Sequence, residues 1–152
     1  MFGEFAQFAF GFLLAIVTHE SGHAIAAKAY NVEIDWQTVV VSDCMSACTE
    51  GKMRKVANGA FVLSALANRV VIAQGWERNP VGAGFLSFNI LEPYSYEVRY
   101  QMGNKADFYH MKSLDRAIWM TEATVTAYQA NKTWQILPTG NGGVMLTYNR
   151  GF

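Results

Sequence analysis

Apolar positions dominate the first thirty residues without settling into a stripe. From Phe5 to Thr18 the chain reads Phe-Ala-Gln-Phe-Ala-Phe-Gly-Phe-Leu-Leu-Ala-Ile-Val-Thr, with no charged residue. Hydrophobic side chains on every side of a helix fit lipid or a deep core, because a surface helix keeps one face polar. A helix starting near Phe2 and reaching Tyr30 has about 28 residues and, at 1.5 Å per residue, exceeds the ~30 Å hydrocarbon thickness of a bilayer. Past Asn31 the pattern switches to Val32-Glu-Ile-Asp-Trp-Gln-Thr-Val-Val-Val41, alternating and β-branched, which predicts a strand or hairpin. The charged stretch from Asp43 to Lys55 reads as an exposed loop.

A second apolar segment runs from Val56 to Trp76, interrupted by Arg69, and its small residues suit close helix packing in a membrane. Glu77-Arg-Asn-Pro80 predicts a break. Val81 to Leu91 is a third apolar run, too short to span a bilayer alone. Glu92 to Lys105, with Pro93, reads as an irregular loop. Ser113 can cap a helix reaching Asn131, with Leu114, Ala117, Ile118, Met120 and Ala123 on its apolar face. The tail from Thr133 to Phe152 predicts a second hairpin, turning at Gly140-Asn-Gly-Gly143 and returning along Val144–Tyr148. The expected fold is therefore a mainly α membrane protein. It has three to four apolar helices, a small β hairpin after the first helix and a C-terminal β hairpin.

Composition narrows the class. The chain has 152 residues, 51% hydrophobic and 16% charged, which suits a single domain over residues 1–152 and excludes a disordered chain. Twelve basic and twelve acidic residues give zero net charge, against nucleic-acid binding by bulk positive charge. Met1-Phe-Gly-Glu4 offers no basic leader, so a cleaved signal peptide is not expected. Cys44 and Cys48 stand four apart, a spacing that leaves both unremarkable thiols and a local disulfide open and fits neither a redox Cys-x-x-Cys nor a zinc site by itself.

The chemistry concentrates in His19-Glu20-Ser21-Gly22-His23. On a helix, positions i and i+4 share a face, so both imidazoles can reach one metal ion. Glu20 lies on the adjacent side, where it can take a proton from a metal-bound water that zinc has acidified toward a pKa of ~7. Two histidines and a glutamate inside an apolar helix are costly unless something uses them. A catalytic zinc site wants a third protein ligand. Asp107, His110, Glu122 and Glu92 are the candidates. Asn89 and Asn68, amides in apolar segments, can stabilise an oxyanion or hold substrate, or can bridge helices.

Thr18-His-Glu-Ser-Gly-His-Ala-Ile-Ala-Ala-Lys-Ala-Tyr-Asn-Val-Glu-Ile34 resembles the site-2 protease-like intramembrane zinc metallopeptidases, in which such a motif lies on the first core membrane helix and precedes a short β segment. Ala57-Asn-Gly-Ala-Phe-Val-Leu-Ser-Ala-Leu-Ala-Asn68 is similar to that family's Gly-containing second helix. Phe88-Asn-Ile-Leu-Glu-Pro93 is similar to its Asn-x-x-Pro segment, one residue longer and without the Asp-Gly that follows there. The nearest aspartate is Asp107, in Gly103-Asn-Lys-Ala-Asp-Phe108. The resemblance covers residues 5–110. It implies an integral membrane peptidase that uses Zn²⁺ held by His19, His23 and Asp107, with Glu20 as general base and Asn89 on the substrate. The substrate would be a peptide or membrane protein, the surroundings a lipid bilayer, and nucleic acid no partner. Two other readings stay open: a soluble or peripheral His-Glu-x-x-His zincin with Glu122 as third ligand, and a non-enzymatic membrane subunit that binds metal or partners.

Overall fold

A computed structural model describes residues 2–37, 40–46, 48–103, 107–130, 134–138 and 144–148. The chain is mainly helical. Four long helices, α1 (Phe2–Ala29), α2 (Glu50–Ala73), α3 (Pro80–Gln101) and α4 (Ser113–Ala130), make up most of it. Among the described residues two helices are long and apolar enough to cross a membrane, over Gly3–Ala29 and Glu50–Ala73. Strands β1 (Glu33–Gln37) and β2 (Val40–Ser46) pair antiparallel between α1 and α2, and β3 (Trp134–Pro138) pairs with β4 (Val144–Tyr148) after α4. The turn expected at Gly140–Gly143 lies outside the described residues.

Two expected loops are regular structure instead: residues 43–46 belong to β2, and residues 50–55 and 92–101 belong to helices. The charges after Cys48 belong to the first turns of α2. Thr49 caps that helix, its hydroxyl accepting from the Lys52 backbone N–H, and Glu50 sits in the first turn, where the helix dipole favours it. Clustered charge marked solvent contact there, not absence of structure. Likewise α3 does not stop at Glu92 but runs through Pro93 to Gln101. A proline removes one backbone bond, and an otherwise well-packed helix tolerates that where its neighbours hold it. Pro93 is itself buried, and Tyr96 and Tyr100 beyond it pack on the Ala57–Phe61–Met111 cluster. Between α2 and α3 the chain does break: Gly75 takes a left-handed φ of 68°, Asn79 caps α3 by accepting from Gly82 N–H, and Pro80 opens the helix. Cys48 is disulfide-bonded.

The helices run alternately up and down. Gly22 and Gly59 bring α1 and α2 together so closely that a Cβ on Gly22 would lie 2.5 Å from the Ala60 Cα. Ala15, Val71, Leu86 and Ala130 belong to one buried cluster, to which all four helices contribute. α4 is tied to α2 by polar contacts at both ends. Arg54 grips Asp115, with Nε–Oδ2 at 2.5 Å and Nη2–Oδ1 at 2.6 Å, and Arg69 pairs with Glu122 at 2.6 Å. Between them the Trp119 indole N–H donates to Asn58 Oδ1 at 2.7 Å.

Candidate metal centre

α1 carries His19 and His23 on the face turned toward α2 and α3, and both are buried. Their rings meet edge to face with centroids 4.9 Å apart. The short 3₁₀ turn Asp107–His110, between α3 and α4, brings a carboxylate to the same point. Asp107 Oδ2 stands 3.2 Å from His19 Nε2 and 3.1 Å from His23 Nε2. His19, His23 and Asp107 thus form a group able to hold a metal ion, with ligand atoms all within 4.8 Å of one another.

The donor set and its spacing fit a metal. Ligands bound tetrahedrally at about 2.0–2.1 Å, as around zinc, stand about 3.3 Å apart. Two neutral imidazoles and one carboxylate are a common catalytic set that leaves a position open. Burial tends to raise the Asp107 carboxyl, but protonated imidazoles beside it outweigh that and hold it below the ordinary carboxylate range, a pull that a metal ion between neutral rings would exert in their place.

Each ring is oriented from behind. His23 Nδ1 lies 3.1 Å from the Val56 backbone carbonyl, and a proton on Nδ1 donated there leaves the Nε2 lone pair for a metal ion shared with Asp107. His19 Nδ1 lies 2.9 Å from Glu92 Oε2, close but not aligned for a well-formed hydrogen bond. The Val56 carbonyl can fix the tautomer and direction of His23, while the Glu92 carboxylate sets a charge directly behind His19. Phe61 adds an edge-to-face contact with His19 at 5.0 Å.

The other expected residues fall in several places. Glu20 is buried and lines, with Glu92, a cleft of about 370 Å³ walled by Phe12, Ile16, Phe88 and Leu91 and reaching Ser95, Tyr96 and Arg99. Glu92 backs His19 and is not in the ligand group. Glu122 is committed to Arg69 by two 2.6 Å contacts, and Arg69 also donates to Gln129. His110, half-buried against Tyr109, is outside the group as well. Asn89 donates from Nδ2 to Asn68 Oδ1 at 2.7 Å, so the two amides join α3 to α2. Asn89 is not among the residues that line the cleft. The Val56 carbonyl was invisible to a reading of side chains, and only its place one turn before Ala60, opposite Gly22, locates it.

No family model, curated protein or solved structure matches the chain.

Proposed function

We propose that the chain is a single-domain, membrane-embedded zinc metallopeptidase that hydrolyses a peptide bond in or near the bilayer, in line with the resemblance carried by the His19–His23 segment. The observation that carries this is the meeting of two backed imidazoles with the Asp107 carboxylate, one helical position from a glutamate that opens on a cleft.

His19, His23 and Asp107 would hold the zinc, which when bound supplies Lewis acidity toward water and a peptide carbonyl. Glu92 and the Val56 carbonyl keep the two rings aimed. Glu20 takes a proton from the attacking water and passes it to the departing amine. The cleft walls of Phe12, Ile16 and Leu91 exclude bulk water and favour an apolar substrate segment. Membrane residence is supported by large side chains left open to the surroundings. Phe5 is 73% exposed, Leu13 58% and Leu66 60%, and no α1 or α2 neighbour covers them. A core helix of a soluble protein would bury such a face.

The test is hydrolysis of an apolar, membrane-spanning peptide by protein reconstituted in lipid. Activity that is lost on chelation, regained with zinc and missing in Glu20→Gln supports the reading. Zinc-loaded protein that leaves every such peptide intact would move it to a metal-binding subunit.

A further inference from the structure

On another flank of the α1–α2 seam lies a groove of about 750 Å³ that none of the metal-centre residues lines. Its volume is within the about 300–1,000 Å³ range of pockets that take small molecules. The antiparallel course of the two helices gives it two unlike parts. Near the C-terminal end of α1 and the first turns of α2 it holds Arg54, Lys55 and Asp115, and further along it is walled by Ile25, Val62 and Leu66. Those three apolar side chains are 61%, 46% and 60% exposed.

The charges in the groove do not cancel. Arg54 is neutralised by Asp115 in a two-point contact. The Lys55 ammonium sits 4.5 Å above the Tyr30 ring, and among the described residues no carboxylate pairs with it. One net positive charge therefore stands at the head of an apolar trough, within two turns of the end of a helix long enough to span a bilayer. Basic pockets between membrane helices select anionic headgroups, since phosphate needs a cation and the acyl chain needs only a dry wall.

We propose that this groove binds one anionic glycerophospholipid, its phosphate on Lys55 and an acyl chain along Ile25, Val62 and Leu66. The assignment rests on the membrane reading above but not on the peptidase chemistry. The aromatic ring beneath Lys55 helps hold the ammonium in place for the phosphate.

The test is native mass spectrometry of the full chain in detergent, offered phosphatidylglycerol and phosphatidylcholine with the same acyl chains. The expected result is one retained phosphatidylglycerol per chain, at least fivefold over phosphatidylcholine. Lys55→Gln should bring that preference close to one. Val62→Trp, which fills the trough, should lower retention of both lipids. Metal content measured on the same samples should equal wild type in both variants, which shows that they are folded. Equal retention of the two lipids by wild type overturns the proposal, as does displacement by the soluble headgroup glycerophosphoglycerol, or a lipid-free dimer seated on this face. Flotation with liposomes separates the two readings. A chain that fails to float overturns membrane residence and this proposal together, whereas one that floats without lipid preference overturns this proposal alone.

Discussion

The Nδ1 atom of His19 stands 2.9 Å from Glu92 Oε2, while Nε2 of the same ring faces Asp107. One imidazole thus joins α1 to α3 on one side and to the turn after α3 on the other. Glu92→Gln keeps the shape and removes the charge behind the ring. Metal affinity measured by chelator competition should fall about 10- to 100-fold, the usual cost of losing such a partner. An unchanged affinity would mean that Glu92 does not hold the ring.

Glu20→Gln separates chemistry from binding. The variant should keep its metal, because Glu20 is not among the ligand atoms, and should lose peptide hydrolysis by about 10²- to 10⁴-fold, the range for a general base. Paired metal analysis and a cleavage assay on the same preparation check both halves.

The His-Glu-Ser-Gly-His segment was readable because its logic is local: two residues four apart on a helix must share a face. Glu92 was readable only as a carboxylate near a cleft. Whether it meets the front or the back of His19 depends on how α1 crosses α3, and no local pattern encodes that. Asp107 lies 84 residues from His23, and its place in the site came from the order of segments in a resembling family, not from spacing. Asn68 and Asn89 were each visible as amides in apolar surroundings, yet their mutual hydrogen bond is a product of α2–α3 packing. Pro93 and the charges of Glu50–Lys55 misled for different reasons. Pro93 is a true local signal against helix that burial of the turns beyond it outweighs, whereas clustered charge reports solvent contact and is compatible with a capped first turn.

Gly22 inside the motif is required by packing. A Cβ there would lie 2.5 Å from the Ala60 Cα and 2.6 Å from the Gly59 carbonyl oxygen, both backbone atoms. Gly22→Ala gains up to about 1 kcal/mol in helix propensity but costs about 1–3 kcal/mol in overpacking. Thermal unfolding should shift down, with weaker metal binding as α1 is pushed from α2. Gly3→Ala, with nothing within 4 Å of the new Cβ, should be neutral or slightly stabilising.

The Arg54–Asp115 contact should make stability acid-sensitive. The Arg54 guanidinium, opposed by some burial and aided by the Lys112 backbone N–H, holds the Asp115 carboxyl below its ordinary value of 3.8. A group whose value is lowered on folding stabilises the protein above the unfolded-state value, and that stability is lost as pH falls through the folded-state value. The difference in thermal stability between wild type and Asp115→Asn should therefore be full at pH 7 and shrink below about pH 4. A difference that stays constant from pH 7 to pH 3 would contradict this. Comparing two proteins with the same metal centre removes the acid sensitivity of that centre from the result.

Zinc per chain, measured by elemental analysis on wild type and Asp107→Ala purified from the membrane fraction, tests the central claim most directly. The account predicts close to one zinc in wild type and a large loss in the variant, with Glu122→Gln and His110→Ala retaining it. Wild-type protein that takes up no zinc, or an Asp107→Ala variant that holds it as well as wild type, would contradict a centre built from His19, His23 and Asp107.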